Sequence, residues 1–174
     1  MKKAIILATV FLFSLGMASV VFAADSAKIG SVDVQKVLLL SNSGKDAKEL
    51  LAQKANKYEA EKNAKDEELK KLKADLEKQS VLLSESARSS KERDYQQRLK
   101  EYQRFLKDAQ DDLQSKNDEL TNRIVDEIVK VTQDFARRNG YTVIFVRNET
   151  MIYLEDKADL TDQILKLFNE SKKK

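Results

Sequence analysis

Five cations, Arg88, Lys91, Arg93, Arg98 and Lys100, fall within one short stretch of the chain, with Tyr95, Tyr102 and Phe105 among and just beyond them. Clustered cations of this kind attract acidic polypeptides or anionic headgroups, and the aromatic rings add apolar contact. A solvated helix face explains the same cations equally well. Tyr95 and Tyr102 also fit the seam of a coiled coil, and Phe105 lies off that seam. The acidic pairs Asp111–Asp112 and Asp118–Glu119 sit beside lysines on helical stretches, where solvation accounts for them. The carboxylates match no calcium-loop spacing.

The chemistry is narrowed further by what is missing. The 174 residues include no Cys, His, Pro or Trp. Disulfides, thiolate metal sites and the commonest general base are therefore excluded. Only four glycines occur, so few loops are available to shape a catalytic pocket. The reading is of a protein that is not an enzyme and uses no cofactor and no metal.

The elements that position the basic cluster are long helices. From Lys45 to Leu83, the positions Leu51, Ala55, Tyr58, Lys62, Lys65, Leu69, Leu72, Leu76, Gln79 and Leu83 alternate in steps of four and three. That is coiled-coil spacing, with Lys62, Lys65 and Gln79 as polar interruptions. "SESARSSKERD" breaks the pattern and predicts a turn. Ser89 and Glu92 have the capping-box spacing of a new helix running from about Ser90 to Arg138. Its stripe is Tyr95, Leu99, Tyr102, Leu106, Ala109, Leu113, Lys116 and Leu120, continued by Ile124, Ile128, Val131 and Phe135. Three successive four-residue steps beyond Lys116 mark a stutter. The apolar face widens there, as expected where a thin arm enters a larger core. Arg137 and Arg138 precede Gly140, the predicted left-handed cap. At about 1.5 Å per residue the two helices span roughly 60 and 70 Å.

The flanks differ in composition. "MKK" followed by an apolar run and "VFA" predicts a secretory leader, residues 1–23, cut after Ala23 and directing export to the periplasm. "AKIGSVDV" predicts a strand, "QKVLLLSNSG" a short helical turn ending near Gly44, "YTVIFV" and "MIYL" a β-hairpin about "RNET", and "DLTDQILKLFN" a short amphipathic helix. Tyr141–Val146 thus has two natural partners, Met151–Leu154 through the hairpin and Ile29–Val34 from the other end of the chain. The fold class is therefore α+β. A long antiparallel helical hairpin, the coiled-coil arm of 45–119 with its tip near 84–90, projects from a discontinuous body made of 24–44 and 120–174. That body holds roughly 75 to 80 residues, too few for a confident core. Its sheet edges are expected to pair with further copies of the chain. Ile29, Val32, Val143, Phe145, Ile152 and Leu154 are the candidates for that association.

"KIGSVDVQKVLL", then a Lys/Glu-rich helical hairpin, then "GYTVIFV", "MIYL" and "ADLTDQILKLFN" resemble the OmpH/Skp-like periplasmic chaperones over nearly the whole chain after the leader. The resemblance implies a homotrimer with a small β-barrel body and three helical arms around a cavity. It further implies that unfolded outer-membrane proteins are held there without ATP. It transfers no catalytic residues, and no lipopolysaccharide site onto particular residues. One departure concerns charge. The 32 Lys and Arg fall to 30 once Lys2 and Lys3 are set aside, against 29 Asp and Glu. The best-known members are strongly basic.

On these grounds the expected function is a holdase whose client-binding residues are Arg88, Lys91, Arg93, Arg98, Lys100 and Phe105. Expected partners are unfolded outer-membrane proteins, further copies of the chain and an anionic membrane surface, with no nucleic acid. The alternative is an exported coiled-coil spacer or adaptor of the cell envelope.

Overall fold

The computed structural model describes residues 27–79 and 83–172. The leader and its cut after Ala23 lie outside them, as does the middle of the turn between the long helices. In chain order the elements are β1 (Ile29–Val32), α1 (Val34–Leu40), α2 (Asn42–Gln79), α3 (Glu85–Asn139), β2 (Val143–Val146), a 3-10 turn (Asp156–Ala158) and α4 (Thr161–Ser171).

Each junction has a local cause. Asp33 caps α1, its Oδ1 accepting from the Lys36 backbone N–H at 2.8 Å. The buried Ser41 hydroxyl then joins two helices. It donates to the Leu38 carbonyl at 3.0 Å and accepts from the Gly44 N–H at 3.1 Å. Gly44 is therefore not the boundary expected from the sequence. α2 already starts at Asn42, whose N–H donates to Asn169 Oδ1 from α4 at 2.9 Å. Gly44 is needed because a β-carbon there would lie 1.8 Å from the Leu38 carbonyl oxygen.

The cap of α3 also differs from expectation. Ser84, not Ser89, accepts from the Ala87 N–H at 3.3 Å, and α3 runs on through Ser89. Ser84 has the extended backbone of a cap, φ −62° and ψ 154°, and its carbonyl accepts from the Arg88 N–H at 2.9 Å. At its other end α3 closes as expected. Gly140 adopts φ 67°, and the Tyr141 N–H donates to the Ala136 carbonyl at 3.0 Å.

β1 and β2 pair in parallel, with Ile29 opposite Val143 and Val32 opposite Val146. Parallel strands need a crossover connection. Here the whole helical hairpin is that connection: α2 leaves the body, α3 returns, and the end of α3 passes back to the start of β1. Lys28 secures this return, its Nζ donating to the Asn139 carbonyl at 2.9 Å and lying 4.2 Å from the Tyr141 ring centre.

The expected hairpin with Met151–Leu154 does not form. After Val146 the Arg147 N–H still donates to the Val32 carbonyl at 2.8 Å. The Asn148 side chain then turns the chain, accepting from the Thr150 N–H at 3.1 Å and hydroxyl at 2.6 Å. Residues 151–154 carry no strand. The chain instead reaches the opposite edge of β1, where Asp159 bridges Ser31 and the Leu160 N–H donates to the Ser31 carbonyl at 2.8 Å. A hairpin would require the chain to stay beside β2. The contacts at Asp159 and Thr161 draw it away, since Thr161 Oγ1 also accepts from the Asp33 N–H at 2.9 Å.

The core is where these pieces meet. Val32, Val37, Ile124, Ile128, Phe135, Leu160, Ile164 and Phe168 form one buried cluster. Ile124, Ile128 and Phe135 come from the widened face of α3. Ile164 and Phe168 are one helical turn apart on α4. Burying each such side chain stabilises the body by about 1.5–3 kcal/mol.

Candidate functional site

The arm is the pairing of α2 with α3, and its seam follows the expected heptads. On α2 every seam position from Leu51 to Gln79 is buried or half-buried, including Lys62 and Lys65, whose stems lie along the seam with their ammonium groups outside. On α3 the same holds for Tyr95, Leu99, Tyr102, Ala109, Leu113, Lys116 and Leu120, while Leu106 remains exposed.

The two flanks of this seam differ. On one flank polar groups cross between the helices. Lys54 Nζ lies 2.5 Å from Asp112 Oδ2, and the Tyr58 hydroxyl donates to the same oxygen at 2.7 Å. Arg98 Nε lies 3.7 Å from Glu68 Oε1, and Lys91 Nζ donates to Gln79 Oε1 at 2.7 Å. Phe105 meets Tyr58 edge-on with ring centres 6.0 Å apart, and Lys65 Nζ lies 5.3 Å from its ring centre. The α3 members of this row, Lys91, Arg98, Phe105 and Asp112, repeat every seven residues. Hydrogen bonds from Lys54 and from Tyr58 hold the Asp112 carboxyl below its ordinary pKa, and Asp112 in turn raises both Lys54 and Tyr58.

The opposite flank has an open groove of about 650 Å³, floored by Leu51, Ala55, Leu106, Ala109 and Leu113 and bordered along the seam by Tyr58 and Phe105. Small side chains at Ala52, Ala55 and Ala109 leave it unfilled. Charge pairing near it stays within a helix, as in Lys62–Glu59 at 2.9 Å and Lys116–Glu119 at 2.7 Å.

The structure spreads the expected client-binding cations over several surroundings. Arg88 pairs with Glu92 at 2.9 Å, and Arg93 donates to Ser89 Oγ at 3.0 Å. Arg98 is shared among Glu68, Asp94 and Glu101, and Lys91 is one of the crossing groups. Lys100 is exposed on α3. Exposed pairs of this kind contribute about 0–1 kcal/mol each and exchange partners readily. Phe105 is half-buried, meeting Tyr58 in the seam and lining the open groove, because its seven-residue spacing from Arg98 and Asp112 places it at the margin of the side of α3 that faces α2.

The candidate association residues also separate. Val32 is 1% exposed and belongs to the protomer's own core, so it is not a surface group. Val143 and Leu154 are half-buried. Ile29 and Phe145 are each 51% exposed, Val146 58%, Tyr153 80% and Ile152 100%. Beside β2 lies a hollow of about 250 Å³ lined by Val34, Val129, Ala136 and Tyr141. Neither Val129, part of the widened apolar face of α3, nor Tyr153 was among the association candidates read from the sequence. Val129 sits one residue past the α3 stripe, and Tyr153 was assigned to a strand whose place in the fold the pattern did not reveal.

Asp159 ties the far edge of β1. Partial burial pushes its carboxyl up, but hydrogen bonds from the Thr161 hydroxyl and backbone N–H, together with Arg147 at 3.0 Å, outweigh this and leave it below its ordinary value. Among the described residues no group of three or more His, Cys, Asp or Glu is placed to hold a metal ion, and no helix is long and apolar enough to cross a membrane.

Comparison with known proteins gives a consistent picture. No curated protein matches the chain. Among solved structures, a candidate outer membrane chaperone (OmpH-like) from Caulobacter crescentus CB15 has the same fold. The TM-score is 0.78 at 15% sequence identity, covering 83% of this chain and 85% of that one. The family model "Outer membrane protein (OmpH-like)" matches residues 28–168, from the residue before β1 to the buried phenylalanine of α4. The chain belongs to the OmpH-like outer membrane protein family.

Proposed function

We propose that this protein is an ATP-independent periplasmic chaperone, a holdase that keeps unfolded outer-membrane proteins from aggregating. The observation that carries the reading is the division between a long, thinly packed arm and a small body with an uncovered sheet edge. At about 1.5 Å per residue, α2 and α3 extend roughly 57 and 82 Å, far more than the body needs for its crossover. Residues 24–44 and 120–174 form the associating body, and 45–119 form the arm. Three copies join through the open edge of β2 and the exposed Ile29, Phe145, Val146, Ile152 and Tyr153, with the arms surrounding a shared space. The leader is removed after Ala23 during export. Family membership and the fold shared with the Caulobacter protein support this assignment.

Many weak contacts spread over several arms hold a client by avidity, without any strong single site. The exchangeable ion pairs of Arg88 and Arg98, with Arg93 bonded only to the Ser89 hydroxyl and the exposed Lys100, supply a charge component toward acidic clients or an anionic membrane surface. The test is dilution of a urea-unfolded outer-membrane barrel protein into buffer with and without this protein. Suppressed light scattering is expected, with sedimentation giving the mass of a trimer. Scattering that rises equally fast in both, or a stable monomer at micromolar concentration, overturns the reading. Competition among unrelated unfolded clients distinguishes it from an envelope adaptor, which would accept only one.

A further inference from the structure

The arm's two flanks are not equivalent. Lys91, Arg98 and Asp112 link α3 to α2 on one flank, and the other keeps an unfilled apolar groove, with the Tyr58 and Phe105 rings in the seam between the two. From Phe105 to Asn117 that groove follows α3 for about 18 Å at 1.5 Å per residue. An extended chain advances about 3.3 Å per residue, so the groove accommodates about five or six residues in strand conformation.

The lining specifies what such a stretch must be. The floor is aliphatic, with the Tyr58 and Phe105 rings along its seam edge. The nearest charges, Lys62 and Glu59, neutralise each other at 2.9 Å. The remaining rim on α3 consists of side-chain amides: Gln110, Gln114 and Asn117. Gln114 donates to Asp118 at 2.8 Å and keeps its carbonyl oxygen available. Gln110 and Gln114, four residues apart, recur about every 6 Å along the helix. The outward backbone groups of an extended chain recur every two residues, about 6.7 Å. A flexible amide spans that difference and can both donate and accept.

We propose that this groove is the arm's binding site for an uncharged, extended polypeptide stretch of alternating apolar and polar residues, as found in the unfolded strands of a membrane β-barrel. Alternate side chains enter the aliphatic floor, and the Gln110 and Gln114 amides meet the backbone. The crossing flank keeps the helices together while the groove is occupied. This site rests on the holdase reading and locates its apolar component away from the basic tip.

The absence of Cys from the chain makes the test direct. A photo-crosslinker is attached to Gln110→Cys on the groove rim or to Gln53→Cys on the other side of α2. Each labelled full-length mature protein is mixed with a urea-unfolded outer-membrane barrel protein. Capture from position 110 is expected to exceed that from position 53 about fivefold or more. A52E puts an unpaired carboxylate at the groove and is expected to weaken client binding about tenfold, because an apolar segment cannot compensate that charge. A60E adds the same charge on an exposed position outside the groove and should change binding less than about twofold. Equal capture from both labels, capture mainly of a second copy of this chain from position 110, or equal effects of A52E and A60E overturns the proposal. Should circular dichroism show that A52E loses helix, the crosslinking comparison decides alone. An unmodified protein that fails to suppress client aggregation overturns the holdase reading itself. One that suppresses aggregation without capture at position 110 overturns only the groove.

Discussion

Phe168, Ile164 and Ile128 in the body are sealed from solvent, while the best-covered side chains along the arm, Leu69 and Ala109, each remain 8% exposed. Both regions use α3, so the difference does not arise from helix propensity. In the body α3 is covered by α1, α4 and the start of α2, and its apolar face is wide enough to meet all three. In the arm it has one neighbour, and each seam residue is shielded from one side only. A helix covered on several sides opens only when the body unfolds. A helix with one neighbour can open locally, since few buried contacts are lost. On the function proposed above, a firmly packed body with a loosely held arm suits a protein that accepts chains of variable shape.

The largest test of this contrast is Phe168→Ala. A fully buried aromatic ring is removed from the body, and a loss of about 3–5 kcal/mol is expected by urea denaturation. The arm should lose its protection together with the body, because both ends of the hairpin are anchored there. Gly44→Ala attacks the junction of the two regions. Its β-carbon would overlap the Leu38 carbonyl oxygen, so α1 and α2 must move apart, at a cost of about 1–3 kcal/mol read from the thermal midpoint.

Leu69→Ala tests the arm alone. With partial cover the cost should lie near the lower end of the core range, about 2 kcal/mol. Hydrogen exchange should quicken in α2 around Leu69 while the amides of α4 keep their protection. Equal acceleration in both would show that arm and body unfold as one unit and would remove the distinction drawn above.

The smallest effect concerns pH. Asp112 is held below its ordinary carboxylate value of 3.8 in the folded arm. Its contribution is therefore complete above that value and is lost as pH falls through the lower, folded value. Amide protection near Tyr58 and Asp112 should be unchanged from neutral pH down to about 5 and should decline below about 4. Asp112→Asn should abolish that local decline. Asp159 is also held below its ordinary value, but in the body. Asp159→Asn should therefore alter acid stability of the sheet while leaving the arm's profile unchanged.

Much of the arm was legible because its information is periodic. Leu51, Ala55, Tyr58 and Leu69 announce a buried stripe by spacing alone, and helix geometry converts spacing into a face without reference to any other part of the chain. Gly140 was legible for a similar reason, since a left-handed cap after basic residues is a local preference. Ser84 and Ser89 show the limit. Both are acceptable caps, and the choice depends on where the preceding helix stops packing. Phe105 lies off the stripe read from spacing and is nevertheless half-buried, because a helix facing a neighbour also covers side chains on the margins of its stripe. The row Lys91, Arg98, Phe105, Asp112 was detectable as a heptad repeat, but its residue types differ, so a search for apolar periodicity passes over it.

By itself the sequence determined the long helices, their seam, the left-handed stop at Gly140 and the chemistry that no residue is present to perform. These depend on interactions within a few turns of the same helix. Only the tertiary structure decided that the pairing of β1 with β2 is parallel, that Met151–Leu154 lies outside the sheet, that Gly44 lies inside a helix against the Leu38 carbonyl, and that the arm has one linked flank and one open flank. Each of those outcomes depends on which distant backbone or side chain fits a shared position with the lower free energy. Residue type constrains such a meeting, but its partner is set by the path of the whole chain.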